Sequence, residues 1–205
     1  MTTEPSRSVE IERKYDVDES TPLPDWSALP GVDDVSAGEL RELDARYLDT
    51  ADGVLARAGV ALRRRTGGPD AGWHVKGPRT GDGRVELGWP LGDDETVPGA
   101  VAETIAQWTT APLTPLARIE NTRTAYLLTG PGGIVAEFVD DQVRATDLRG
   151  GAQRAWREWE MELGPAAPAD GPGREAFFAA VDAAVRAAGG RDAASGSKLA
   201  RALGF

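Results

Sequence analysis

Cysteine is absent from this 205-residue chain. That excludes a disulfide framework, a thiolate metal site and a cysteine nucleophile. Histidine occurs once, so a catalytic imidazole has a single candidate, His74. No apolar run approaches the roughly 18 residues of a membrane span. Residues 1–8 are short and polar, without the apolar core of a signal peptide. These absences point to the cytoplasm. Basic residues are outnumbered 23 to 33, and the net charge is −10. That is a poor balance for binding a nucleic-acid polymer or an anionic membrane. No G-x-S-x-G or H-E-x-x-H pattern occurs, and no glycine cluster precedes a helix in the form of a phosphate-binding loop.

What remains is a chain with 40% hydrophobic residues, enough for a core. Its length fits one domain, residues 1–205. Short alternating segments separated by Gly/Pro turns predict about eight strands in an antiparallel order. A mid-chain helix is predicted over 99–109 and an amphipathic helix over 174–188. Shorter helical pieces are read at 53–59 and 197–203. Pro112 and Pro115 are read as ending the mid-chain helix. Residues 134–140 and 145–149 are read as two strands. The fold class is α+β, an antiparallel sheet or barrel with helices packed outside.

The organising stretch is residues 9–17, read as one strand. Val9, Ile11, Tyr15 and Val17 share one face, and Glu10, Glu12, Lys14 and Asp16 share the other. Arg63 and Arg65 share a strand face, as do His74 and Lys76. Arg84 and Glu86 lie opposite Val85 and Leu87. Glu158, Glu160 and Glu162 lie opposite Trp159, Met161 and Leu163. Three like charges on one face repel unless a cation sits among them. Carboxylates suit a hard divalent cation, and clustered arginines suit a polyphosphate. Such strands would form a tunnel with a charged lumen and an apolar, helix-covered exterior.

With these segments in order, the chain resembles the CYTH family, the triphosphate tunnel metalloenzymes. The matching pieces are Glu10-Ile11-Glu12-Arg13-Lys14 (E-x-E-x-K), Tyr47-Leu48-Asp49-Thr50, Leu62-Arg63-Arg64-Arg65, Trp73-His74-Val75-Lys76-Gly77-Pro78, Arg84-Val85-Glu86, Glu158-Trp159-Glu160-Met161-Glu162-Leu163 and Ser197-Lys198. They span residues 9–198, and residues 1–8 are expected to be disordered.

The resemblance implies an eight-stranded antiparallel β-barrel, or tunnel. It implies that Glu10, Glu12, Glu160 and Glu162 hold Mg²⁺ or Mn²⁺, with two ions expected. Lys14, Arg63, Arg65, Lys76 and Lys198 would grip a triphosphate, and Glu10, Glu12 and Lys14 would be the catalytic set. A further basic position falls on Arg118 or Arg123, which have opposite parity, with Arg123 favoured. A further metal ligand falls on Asp140 rather than Asp141. Glu158 is a second-tier metal candidate.

The implied activity is metal-dependent triphosphate hydrolysis, with inorganic tripolyphosphate as first substrate. Thiamine or nucleoside triphosphates are alternatives. Class IV adenylyl cyclases carry an H-F pair ahead of E-x-E-x-K, which is missing here, so cyclisation ranks lower. A non-catalytic polyphosphate or nucleotide binder is the alternative of another class. Many family members carry a C-terminal histidine-rich CHAD domain, and none is expected within these residues. The expected partner is a small-molecule triphosphate, with a homodimer left open.

Overall fold

In the computed structural model, residues 4–93 and 95–205 are described. One antiparallel sheet dominates. Its strands are β1 (Ser6–Glu10), β2 (Glu12–Val17), β3 (Asp34–Val35), β4 (Glu39–Thr50), β5 (Ala61–Thr66), β6 (Gly72–Thr80), β7 (Gly83–Trp89), β8 (Leu113–Gly130), β9 (Gly133–Asp147), β10 (Gln153–Leu163) and β11 (Arg191–Asp192). Four helices accompany it: α1 (Val54–Arg57), α2 (Gly99–Ile105), α3 (Gly171–Ala188) and α4 (Lys198–Leu203). Among the described residues, no helix is long and apolar enough to cross a membrane.

The hydrogen-bonded order is β1-β7-β6-β5-β4-β8-β9-β10-β2-β11, with β3 pairing β8. The sheet therefore has eleven strand segments along a path with two ends, not the eight strands of a closed barrel. The difference begins at Ile11, where the expected continuous strand breaks. On one side, Ser6–Glu10 pairs with β7. On the other, Glu12–Val17 pairs with β10. Ser6, Arg7 and Ser8 lie opposite Gly88, Leu87 and Glu86, so this part of the N-terminus is strand rather than disordered. Residues 1–3 lie outside the described residues.

Two other expectations change. Residues 133–147 form one strand, because β9 pairs with β8 from Gly133 to Asp147, with one register shift at Val135, and with β10 from Ala136 to Thr146. Pro115 lies inside β8 instead of ending a helix. It sits opposite Leu48, where the β4–β8 register shifts. An irregularity is where a strand tolerates a residue without an N–H. Helix α2 stops at Ile105, and the backbone continues in turns to Trp108.

The two faces of the sheet differ. α3 starts where the Asp170 side chain accepts from Gly173 N, and ends at Gly189 with φ 100°. Both are standard helix signals. Its buried Phe177, Phe178, Val181 and Val185 pack against Tyr15, Val17, Phe138, Trp159 and Met161. Each such side chain contributes roughly 1.5–3 kcal/mol when fully buried. Leu55 of α1 and Val101 and Ile105 of α2 cover Leu62, Trp73, Val75 and Trp89. α4 packs on the opposite face, where Leu199, Ala202 and Leu203 meet Ala45, Tyr47, Ile119, Val143, Ala145 and Trp156. That face carries the charges.

Candidate active site

The charged face lines a cavity of about 970 Å³. Glu10, Glu12 and Lys14 reach it from the N-terminal strands, Arg63, Arg65 and Lys76 from β5 and β6, Arg123 from β8, and Glu160 and Glu162 from β10. The chain contains three lysines, at positions 14, 76 and 198, and all three line this cavity. Every other basic side chain except His74 is an arginine.

Three carboxylates gather where β1, β2 and β10 meet. Glu12 lies directly opposite Glu162 in the β2–β10 register. Like charges so placed destabilise a sheet. Glu10 is bound at 2.6 Å by Lys76, and Glu12 at 2.9 Å by Lys14. Burial pushes the Glu162 carboxyl up to about 7, and the charges of Glu10 and Glu12 push the same way. Glu10 is also raised by burial, against the pull of Lys76. Their donors are all oxygens, the chemistry that a hard divalent cation takes.

A second acidic group lies deeper. Asp141, Glu158 and Glu160 offer oxygens within 4.8 Å of one another. Arg123 binds Asp141 through two bonds of 2.8 and 2.7 Å and reaches Glu160 at 3.1 Å. Lys14 also pairs with Glu160, its cross-strand neighbour. Burial opposes ionisation of Glu160, but Lys14, Lys198 and Arg123 outweigh it and hold the carboxyl well below its ordinary value. Burial likewise opposes the charge on Lys198, yet Asp141, Glu160 and Glu158 raise its pKa well above the ordinary value.

The third group is basic. Arg63 lies beside Tyr47, with its guanidinium 3.5 Å from the phenol oxygen and 3.5 Å from Glu86. Glu86 also pairs with Lys76 at 2.9 Å and hydrogen-bonds His74 Nδ1. Burial works against the Glu86 charge, but His74, Arg63 and Lys76 overcome it and keep the carboxyl far below its usual range. His74 Nε2 lies 2.9 Å from Asp70 O, so both ring nitrogens face acceptors. Burial lowers the His74 pKa, and Arg63 and Arg65 add to that against Glu86. Arg65 pairs with Asp70, yet burial followed by Arg63 and Arg123 lowers its pKa.

Two sequence expectations fall on the wrong face. Arg118 pairs with Asp44 at 2.7 Å, half-exposed and away from the cavity. Arg123 is the cavity residue. Asp140 is engaged by Arg157 at 2.8 Å and by Trp159 Nε1 at 3.1 Å. Arg157 in turn donates to the carbonyls of Asp18, Glu19 and Thr21. Asp140 thus anchors a loop, and Asp141, fully buried, faces inward. Strand parity decides both cases, because a one-residue step reverses the face. Glu160, expected on a metal, belongs to the buried acidic group with Asp141 and Glu158, which could hold an ion, and is paired with Lys14, Arg123 and Lys198. Glu86 and Arg84, quoted in a motif without a site role, and Arg41, outside every motif, are further charged residues of the cavity wall. Arg41 shares parity with Tyr47 along β4, which is the signal that would have found it.

Comparison with known proteins follows the same lines. The CYTH domain family matches residues 8–177. Two proteins from two strains of Mycobacterium tuberculosis, both uncharacterized, are 39% identical to the chain over 213 residues. The alignments cover 98% of this chain and 41% of each relative, so the chain spans about two fifths of their length. Among solved structures, a candidate adenylate cyclase of Bacillus halodurans superposes with a TM-score of 0.64 at 17% identity, covering 95% of this chain and 97% of that one. A candidate adenylyl cyclase of Hippeastrum, described as having a dominant triphosphatase activity, gives 0.57 at 18% identity, covering 95% and 94%. At these identities the likeness establishes the fold.

Proposed function

The chain belongs to the CYTH domain family, and on that premise we propose that it hydrolyses a triphosphate, with inorganic tripolyphosphate as the substrate. The observation that carries the reading is the division of one cavity wall into an acidic corner and a basic bank. Glu10, Glu12 and Glu162 form the first, and Arg63, Arg65, Lys76 and Arg123 contribute to the second. The cavity is treated as a tunnel enclosed by the curled sheet. Support comes from the N-terminal stretch, whose halves pair with β7 and β10 on either side of Ile11.

Glu10, Glu12 and Glu162 would hold Mg²⁺ or Mn²⁺. When bound there, the ion would supply charge neutralisation and a lowered pKa for a water. The chain's own work is positioning and charge stabilisation, most of what phosphoryl transfer needs. Arg63 and Arg65 present forked donors to nonbridging oxygens. Lys76 is placed between Glu10 and Glu86, so it spans the boundary between metal corner and phosphate bank. Lys14 plays the same part beside Glu12 and Glu160. His74 hydrogen-bonds Glu86 and orients it.

Phosphate release tests this reading, with tripolyphosphate, ATP and thiamine triphosphate compared in Mg²⁺ and Mn²⁺. Tripolyphosphate turnover that requires metal and is lost in Glu12→Gln is the expected result. Turnover of none of the three overturns the proposal. Cyclic AMP formed from ATP would replace it with cyclase chemistry.

A further inference from the structure

Lys198 is ringed by carboxylates and hydrogen-bonds one of them, Glu160. Its Nζ lies 2.8 Å from Asp141, 2.6 Å from Glu158 and 2.7 Å from Glu160. An ammonium has three donors, and three carboxylates surround this one. All three acids are buried, Asp141 completely. A compact set of carboxylate oxygens is what a hard divalent ion takes, and here a side-chain cation fills it.

The rest of α4 is built to keep it there. Ser197 Oγ accepts from Ala200 N and caps the helix. Leu199, Ala202 and Leu203 pack against the inner face of the sheet. Arg201, one turn on, pairs with Asp16 and stands 4.0 Å from Glu158. The other cations facing the three acids are Arg123, on Asp141 and Glu160, and Lys14, on Glu160. Trp156 Nε1 donates to Glu158. Neither Arg123 nor Lys14 lies at the common centre of the three acids, which Lys198 alone occupies.

We propose that Lys198 is a tethered cation standing where a second divalent ion would otherwise bind, so that the cavity takes one metal ion. The inference rests on the triphosphatase reading for the first ion, at Glu10, Glu12 and Glu162. It reassigns Lys198 from gripping substrate to positioning Glu160 and Asp141, which in turn hold Lys14 and Arg123. It also makes the metal count a property of α4: wherever α4 is docked, the inner acids are already neutralised.

The test is Mn²⁺ uptake by the metal-free full chain, counted from the electron paramagnetic resonance signal of free Mn²⁺ without substrate. Wild type is expected to take one ion, Lys198→Ala two, and Lys198→Arg one. Adding Glu158→Gln to Lys198→Ala should return the count to one. Lys198→Gln, which keeps most of the stem, is the second variant should Lys198→Ala fold poorly. Recovery of folded structure on adding Mn²⁺ to either variant would also support the proposal. Two ions in wild type, or no gain in either variant, would overturn it. A wild type that binds no ion, beside a Lys198→Ala protein that binds one, would instead sink the Glu10/Glu12/Glu162 assignment and leave Lys198 as the tethered cation.

Discussion

Glu12 and Glu162 face each other directly across the β2–β10 ladder. No ordinary sheet gains from that pairing. Glu12 is answered by Lys14, but burial and the nearby Glu10 and Glu12 charges raise the Glu162 pKa to about 7.

The first prediction is a pH-dependent stability that metal removes. Glu162 is raised in the folded state, so its contribution is fully present below the unfolded carboxyl value and is lost as pH rises through about 7. Metal-free protein should therefore be less stable to urea at pH 8 than at pH 6. At about 1.4 kcal/mol per pKa unit, roughly one unit of the shift falls between pH 6 and pH 8, a step of about 1.4 kcal/mol. Glu162→Gln should flatten this step, and Mg²⁺ or Mn²⁺ should reduce it in wild type. An unchanged step in Glu162→Gln would place the titrating group elsewhere.

Arg118 and Arg123 should separate cleanly. Arg118→Ala removes a half-exposed ion pair with Asp44, worth about 0–1 kcal/mol, and should leave tripolyphosphate affinity within about twofold. Arg123→Ala strands the fully buried Asp141 beside Lys198. Breaking a buried pair costs about 3–5 kcal/mol, and affinity measured by calorimetry should fall at least tenfold. Equal affinities would remove Arg123 from the binding bank.

For Asp140 the expected outcome is loss of stability without loss of chemistry. Asp140→Ala releases Arg157, which holds the carbonyls of Asp18, Glu19 and Thr21. Unfolding should come about 2–4 kcal/mol earlier, since a partly buried charge loses its partner. Turnover per folded molecule should stay near wild type. Loss of Mn²⁺ binding in this variant would restore Asp140 to the metal site.

His74 offers a spectroscopic check because it is the only histidine. Burial lowers its pKa from the ordinary value of 6.5. Its ring proton resonances should not move between pH 7 and 8, and should titrate only below pH 6.5. Removing its acceptor with Glu86→Gln should shift that titration further down, because Glu86 is the partner that favours the charged ring. A midpoint above 6.5 would contradict the neutral assignment.

Much of this was readable in advance because strand side chains alternate. The parity of Glu10, Glu12 and Lys14, of Arg63 and Arg65, and of Glu160 and Glu162 put each set on one face, and all of them line the cavity. The helix at 174–188 was legible from its apolar stripe, and α3 buries those residues. Parity failed where the phase of a long strand was unknown. Nothing local to Asp140-Asp141 says which carboxylate turns inward. That is fixed by the β9 register with Arg123 on one side and Glu158 on the other.

The sequence by itself determined the chemistry on offer: carboxylates and basic groups at alternate positions, three lysines, no thiol and one imidazole. It also marked most of the longer elements, because apolar periodicity and Gly/Pro turns act over a few residues, but not the break at Ile11 or the continuity of β9. Only the tertiary structure decided who neutralises whom. Glu160 and Lys198 are 38 residues apart, and α4 must dock on the inner face before the ammonium meets its three acids. Charge pairing acts through space over a few ångströms, so it depends on register and docking, which no short stretch of sequence contains.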